Sequence, residues 1–182
     1  MGKLSFKEFV EQEKEVDARK KSINWKERKK LYIERLNTLF QDVKKFLCEF
    51  EEVVVEDGSI IIEEESIGKY KVPSLSIRLF DKHAQLIPVG TNILGTPGRV
   101  DLVGDIDAKR IILADTNETS PQLFASISWS DEARKQADKK AQEWLNRERD
   151  YVWKFLTNPP ILRYIEFDKE NFLSSLQEVL DV

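Results

Sequence analysis

The sequence predicts an α+β domain in which a central antiparallel sheet of about six to seven strands, residues ~53–130, packs against N-terminal and C-terminal helices. Two observations carry this prediction. Apolar residues recur at helical spacing before residue 50 and again near the C-terminus, whereas polar and apolar residues alternate between them. We therefore expect a single domain over residues 1–182. It comprises a helical arm over 3–50, a β-meander over 53–130 and a helix–strand–helix unit over 131–182.

The N-terminal arm is predicted to contain two helices. Phe6, Phe9, Val10 and Val16 form a loose apolar stripe, and Asn24 is suited to cap a second, stronger helix. The apolar residues of that helix follow helical spacing closely: Trp25, Tyr32, Leu36, Leu39, Phe40, Val43, Phe46, Leu47 and Phe50. Cys48 at its end is interpreted as a packed or idle thiol, because no motif around it indicates activation.

The first strands are predicted as a hairpin. Val53–Val55 and Ile60–Ile62 flank Asp57–Gly58, a dipeptide that fits the tight turn matching the twist of paired strands. The acidic residues that flank both runs would discourage unwanted pairing at the sheet edge.

The stretch Pro73–Asp115 is predicted to continue the sheet. A tight turn at Asp81–Lys82 would place six residues on one face, in three cross-strand pairs: Leu79 with Ala84, Ile77 with Leu86, and Leu75 with Pro88. A later pair of strands, joined by a turn at Gly104–Asp107, would add Val100, Leu102, Ile111 and Leu113.

The C-terminal third is predicted as a strand, a long helix, a short strand and a final helix. The strand spans 123–130, and the long helix begins at Ser130 or Asp131 and runs through Tyr151–Leu156 to Asn158. Pro159 and Pro160 end it, because a proline pair cannot continue a helix. The short strand spans 162–167, and Asp168 caps the final helix.

Composition narrows the classes of function. The chain of 182 residues is 41% hydrophobic and 34% charged, typical of a globular domain, and its net charge of −4 argues against a wholly basic nucleic-acid binder. One cysteine and one histidine allow no internal disulfide and supply too few ligands for a zinc site. We find no apolar run long enough for a signal peptide or a membrane span. We expect a cytoplasmic protein with no membrane association, no cofactor and no bound metal.

One candidate site is a glycine-rich segment, Gly90–Arg99, which holds three of the seven glycines in the chain. Its backbone amides at Gly95 and Gly98, together with Arg99, could cradle an anion. The alternative is a structural connection, since the spacing matches neither a phosphate-binding loop nor a dinucleotide fingerprint.

A second candidate site is formed by the carboxylates Asp101, Asp115 and Glu118. Acidic residues at strand ends hold divalent cations in several metal-dependent nucleases, so a phosphodiesterase is one hypothesis. The motif is incomplete, because Thr116 and Asn117 follow where a lysine is expected. In the alternative, Asp101 pairs with a neighbouring arginine.

A third candidate is the basic segment from Arg19 to Lys30, which contains a single Glu. Its seven cationic residues are Arg19, Lys20, Lys21, Lys26, Arg28, Lys29 and Lys30. Beside Trp25 it could contact nucleic-acid phosphates. It could equally be a solvated helix face or meet an acidic partner.

The function favoured by the sequence is a non-enzymatic protein-interaction or assembly module. Four tryptophans and ten phenylalanines lie partly on helices at both ends, in numbers that one small sheet could leave partly uncovered. We therefore expect a homo-oligomer, or a complex with a protein partner, formed through the helices. The metal-dependent phosphodiesterase and the nucleic-acid-associated protein are the two alternatives.

Overall fold

The computed structural model describes residues 24–91, 96–121 and 150–180, together with residues 6, 7, 10 and 14. The described residues form one antiparallel sheet of seven strands, whose order across the sheet follows the chain, and two helices. This confirms the predicted α+β class. The elements are α1 Trp25–Leu47, β1 Val53–Glu64, β2 Gly68–Leu79, β3 Lys82–Gly90, β4 Arg99–Gly104, β5 Ala108–Asp115, β6 Tyr151–Leu156, β7 Tyr164–Glu166 and α2 Lys169–Leu180.

Helix α1 begins where the sequence predicts. The side chain of Asn24 caps it by accepting a hydrogen bond from the backbone N–H of Glu27 at 3.2 Å. Its apolar stripe is buried against the sheet of the same chain: Tyr32, Leu36, Leu39, Phe40, Val43 and Leu47. The stripe is therefore core, whereas Leu31 on α1 and Phe50 just beyond its end are 44% and 36% exposed.

Several predicted elements lie outside the described residues. Of the first predicted helix, residues 6, 7, 10 and 14 are helical, and Phe6 is 79% exposed. The predicted strand over 123–130 and the predicted helix over 131–149 lie in residues that the structure does not describe.

The predicted hairpin turn at Asp57–Gly58 is wrong. Strand β1 continues through it and pairs with β2 along twelve residues, from Val53 opposite Leu79 to Glu64 opposite Gly68. The reversal comes instead after Glu64, where the backbone N–H of Ile67 donates to the carbonyl of Glu64 at 3.1 Å. Gly68 adopts a φ of 80°, which glycine reaches without steric cost.

Gly58 marks a change of face in this β1–β2 ribbon rather than a turn. Before it the core-facing residues of β1 are odd-numbered, Val53 and Val55, and after it they are even-numbered, Ile60 and Ile62. The partner strand changes in the same way, from Leu75 and Ile77 to two even-numbered buried residues: Tyr70 and Val72. The distal half of the ribbon, beyond Gly58, pairs with no third strand among the described residues, and its twist turns its other face toward the core.

The hairpin between β2 and β3 forms, but its predicted register is wrong by two residues. A two-residue turn at Phe80–Asp81 pairs Leu79 with Lys82, so each inward residue meets a partner two positions earlier than predicted: Ile77 meets Ala84, and Leu75 meets Leu86. Because side chains alternate with a period of two, both registers place the same residues on the core face.

The prediction that Tyr151–Leu156 ends a helix is also wrong. This segment is strand β6, and it pairs with β5 from Asp115 opposite Tyr151 to Arg110 opposite Leu156. Trp153 and Phe155 face the core, with Lys154 between them on the other face. Strands β6 and β7 therefore extend the sheet beyond the predicted range of 53–130.

The C-terminal helix α2 is confirmed and packs tightly on the sheet. The side chain of Asp168 caps it by accepting from the backbone N–H of Asn171 at 2.8 Å. At the other end, the carbonyl of Val179 accepts from the backbone N–H of Ile106 at 3.2 Å. Gly104 lies so close to Val179 that an added Cβ would come within 2.6 Å of its carbonyl carbon. Helices α1 and α2 contact each other and the same face of the sheet.

Candidate functional site

The predicted metal-binding carboxylates are not brought together. Asp101 lies opposite Arg110 in the β4–β5 pair, and Asp115 lies five residues further along β5, about 17 Å away at strand spacing. Both oxygens of Asp101 are held by Arg99 at 2.8 Å, whereas Asp115 is buried and accepts from the backbone N–H of Asn117 at 2.9 Å. Among the described residues no group of three His, Cys, Asp or Glu is placed to hold a metal ion.

Near Glu118, the third predicted carboxylate, the structure places a buried lysine that the sequence did not indicate. Lys154 is 2% exposed. Its ammonium donates to the carbonyls of Thr116 and Glu118 at 2.9 and 3.0 Å and lies 3.4 Å from a carboxylate oxygen of Glu166. These partners satisfy the buried charge, so Lys154 ties the chain after β5 to the sheet.

The predicted anion cradle is not formed by its described residues. The α-carbon of Gly98 packs so closely that an added Cβ would come within 2.8 Å of the side chains of Tyr32 and Leu113. The guanidinium of Arg99 is bound to Asp101. The backbone carbonyl of Arg99 accepts a hydrogen bond from the hydroxyl of Tyr32 at 2.7 Å. Gly98 and Arg99 thus anchor the segment to the core, and Gly95 lies outside the described residues.

A polar junction fixes the distal end of the β1–β2 ribbon to the end of β3. The carboxylate of Glu64 accepts from the hydroxyl of Tyr70 and from the backbone N–H and hydroxyl of Thr91, the latter two at 2.9 and 3.1 Å. Thr91 is fully buried, and Gly90 leaves room for the carboxylate. Burial, with the hydrogen bond to Glu64, raises the pKa of Tyr70 far above its ordinary value.

The described part of the basic segment lies on the first two turns of α1. The guanidinium of Arg28 lies 5.6 Å from the centre of the Trp25 ring, and the ammonium of Lys29 lies 5.6 Å from that of Tyr70. Burial lowers the pKa of Arg28, whereas electrostatic interactions with Tyr151 and Glu64 raise it. The structure places only four of the seven cations, because Arg19, Lys20 and Lys21 lie outside the described residues. Of the four, Lys26 and Lys30 are exposed.

An apolar cleft of about 280 Å³ lies between the end of α1, the β2–β3 turn and one side of α2. A second, more polar cavity of about 480 Å³ is lined by Thr119, Ser120, Ile161, Leu162 and Arg163. The apolar lining of the cleft comes from four parts of the chain: Leu47 and Phe50 at and just beyond the end of α1, Val53 at the start of β1, Leu79 and Phe80 at the turn, and Leu173, Leu176 and Leu180 on α2. Asp81, Lys82 and Gln177 add polar groups. The sequence indicated the first four as helix or strand residues, but their convergence depends on the packing of α2.

Phe80 is unusual within this cleft. It is 71% exposed and adopts a φ of 55° at the first position of the turn. Asn, Asp and Gly are the residues that favour such a conformation, and an aromatic residue there carries backbone strain. Exposure of the ring adds a second unfavourable term. Neither feature stabilises the isolated domain.

Comparison with known proteins yields no relative: no family model, curated protein or solved structure matches the chain significantly. Within the described ranges, no helix is both long and apolar enough to cross a membrane. The function must therefore be inferred from the site itself.

Proposed function

We propose that the protein is a non-enzymatic assembly module that self-associates through the ends of its two helices, at the apolar cleft. The observation that supports this proposal is the combination of an open apolar cleft with the exposed rings of Phe50 and Phe80. Exposed aromatic residues beside a pocket are typical of the energetic centres of protein interfaces. Most of the apolar stripe of each helix is buried within the domain, and the cleft leaves apolar side chains beside the β2–β3 turn open to a partner.

The lining of the cleft suits apolar side chains of a protein partner. Apolar residues of both helices, of the β2–β3 turn and of the start of β1 surround a volume of about 280 Å³. Burying one phenylalanine contributes about 1.5–3 kcal/mol. Two such contacts contribute about 3–6 kcal/mol, close to the lower estimates of the cost of association. Because these two contacts barely offset that cost, we expect a weak complex, with a dissociation constant no tighter than the millimolar range.

Sedimentation equilibrium from micromolar to millimolar protein tests the proposal. The wild-type average mass should rise with concentration, and Phe80→Ser should remain monomeric. The matched control is Ile61→Ser, which removes another exposed apolar side chain, 72% exposed on β1 and outside the cleft. Ile61→Ser should associate like the wild type. A wild-type protein that stays monomeric throughout, or a Phe80→Ser variant that associates normally, would contradict the proposal.

Nucleic-acid association is a second candidate, supported by the cations at the start of α1. Arg28 and Lys29 contact aromatic rings, and within the described residues the closest carboxylate to Lys30 is 3.8 Å away, on Glu34. Positive side chains at the positive end of a helix dipole are unfavourable unless an anion approaches.

Fluorescence anisotropy with labelled single-stranded and double-stranded DNA and RNA tests this second function. Binding should weaken with salt and in a Lys26→Glu/Lys30→Glu variant, whereas Lys71→Glu, an exposed lysine on β2, should change it less. Absence of binding at low salt, or equal loss in both variants, would reject nucleic-acid association.

A further inference from the structure

We propose that two copies of the chain meet about a two-fold axis and exchange Phe80, so that the ring of each copy fills the apolar cleft of the other. This inference rests on the proposed function and specifies its geometry. The exposed ring and the cleft are neighbours on one surface, since Phe80 itself lines the cleft and is 71% exposed. A projection beside a matching cavity is self-complementary under two-fold rotation, which closes the assembly at a dimer.

The volumes are compatible with the exchange. A cavity of about 150 Å³ accommodates a benzene ring, and the cleft of about 280 Å³ leaves room for a phenyl ring together with part of its turn. The receiving surface offers the leucine side chains of both helices, including Leu173, and the ring of Phe50 just beyond the end of α1. A ring entering from a second copy would be surrounded by apolar groups.

The turn presents Phe80 in a fixed direction. Leu79 and Lys82 pair directly across the turn, so the backbone on either side of Phe80 is held by the β2–β3 ladder. Only two residues separate the paired strands, and Phe80 occupies the left-handed region with a φ of 55°. A rigid presentation lowers the entropy lost on binding, which is how a small interface can retain measurable affinity.

The charges beside Phe80 suit a second copy of the same surface. Asp81 and Lys82, of opposite sign, both line the cleft. About a two-fold axis the acidic residue of one copy approaches the basic residue of the other, and this fixes the register. Pairing through the edge of β1 is less suited, because Glu56, Asp57 and Glu63 would lie near the same acidic residues of the second copy.

Complementation between two defective variants tests the exchange. Phe80→Ser lacks the ring but keeps the walls of the cleft that Phe50, Leu173 and Leu176 form. Leu173→Glu keeps the ring but places a charge in the cleft. Each alone should associate at least about tenfold more weakly than the wild type. An equimolar mixture restores one of the two contacts, so its mixed dimer should form at least about tenfold more tightly than either variant alone.

Cys48 provides the readout. It is exposed, it is the only cysteine in the chain, and it lies between the lining residues Leu47 and Phe50. Donor-labelled Phe80→Ser mixed with acceptor-labelled Leu173→Glu should give energy transfer that neither variant gives with itself. Gln177→Trp, on the exposed side of α2, is a second cleft-blocking variant in case Leu173→Glu does not fold.

The outcomes separate this inference from the proposed function. If the wild type does not self-associate, both fail. If it forms a dimer but the mixture transfers no more energy than the single variants, the exchange of Phe80 is wrong and self-association stands. A wild-type mass that rises beyond the dimer indicates a head-to-tail chain and overturns the two-fold arrangement.

Discussion

Replacing Gly104 by alanine should strongly destabilise the protein, although it adds a single methyl group. Gly104 ends β4 beside the last turn of α2, and the added Cβ would lie 2.6 Å from the carbonyl carbon of Val179 and 2.7 Å from its Cβ. Ordinary contacts between such atoms are about 3.5–4.0 Å. The end of α2 must therefore move by about 1 Å, because the obstructing atoms belong largely to its backbone.

The magnitude follows from two contributions. Overpacking of a core contact costs about 1–3 kcal/mol. Movement of Val179 also weakens the hydrogen bond that its carbonyl accepts from Ile106 at 3.2 Å, a loss of about 1 kcal/mol. We expect Gly104→Ala to lower the free energy of unfolding by about 2–4 kcal/mol, and the melting temperature by about 5–15 °C for a domain of this size.

Urea denaturation followed by circular dichroism measures this effect. Gly58→Ala is the matched control, because its added Cβ meets the hydroxyl oxygen of Ser74, the end of a side chain that can rotate away, at 2.8 Å. That variant should lose less than about 1 kcal/mol. If Gly104→Ala unfolds within about 0.5 kcal/mol of the wild type at an unchanged m value, the close packing of α2 on Gly104 is wrong.

Three further predictions concern the junction, the turn and the tyrosines. Glu64→Ala should cost about 1–3 kcal/mol in urea denaturation, since it leaves the buried N–H of Thr91 without its acceptor, whereas alanine at the exposed Glu63 should be near neutral. Phe80→Asn should raise the free energy of unfolding by up to about 1 kcal/mol, because asparagine adopts a positive φ with less backbone strain, and it should weaken self-association. A lower free energy of unfolding would contradict the inference that Phe80 is strained. Burial raises the pKa of Tyr164 from 10.0 to about 12, and burial also raises the pKa values of Tyr32 and Tyr70. Above pH 10 the unfolded chain thus releases phenolic protons that the folded chain retains. This stabilisation is therefore complete below pH 10 and is lost as the pH rises toward 12. The midpoint of urea denaturation should fall from pH 9 through pH 10 to pH 11, and it should fall less steeply in Tyr164→Phe.

Local chemistry was sufficient to predict the elements whose signals lie within a few residues. Asn24 and Asp168 cap their helices as expected, because an N-cap needs only a backbone N–H three residues away. The turn at Gly104–Asp107 was predicted for the same reason, and the backbone N–H of Gly104 donates to the carbonyl of Asp107 at 3.0 Å.

Features that depend on distant partners were not predictable from the sequence. Asp57–Gly58 has the composition of a tight turn, yet pairing along all of β1 with β2 outweighs that local preference. Tyr151–Leu156 fits a helical pattern and a strand pattern about equally. Hydrogen bonding to the edge of β5 stabilises the strand, and this pairing cannot be read from the local pattern. The apolar cleft was missed because it joins residues from α1, the β2–β3 turn and α2, which no local pattern relates.

The twist of the β1–β2 ribbon has a consequence for how this protein tolerates mutation. In a saturation-mutagenesis map, an ordinary strand shows sensitive positions in one unbroken alternation. Here the alternation should shift phase at Gly58: polar replacements would be harmful at Val53 and Val55, tolerated at Ile61, and harmful again at Ile60 and Ile62. If β1 were assumed to be a uniform strand, the residues on one side of Gly58 would be assigned to the wrong face of the sheet.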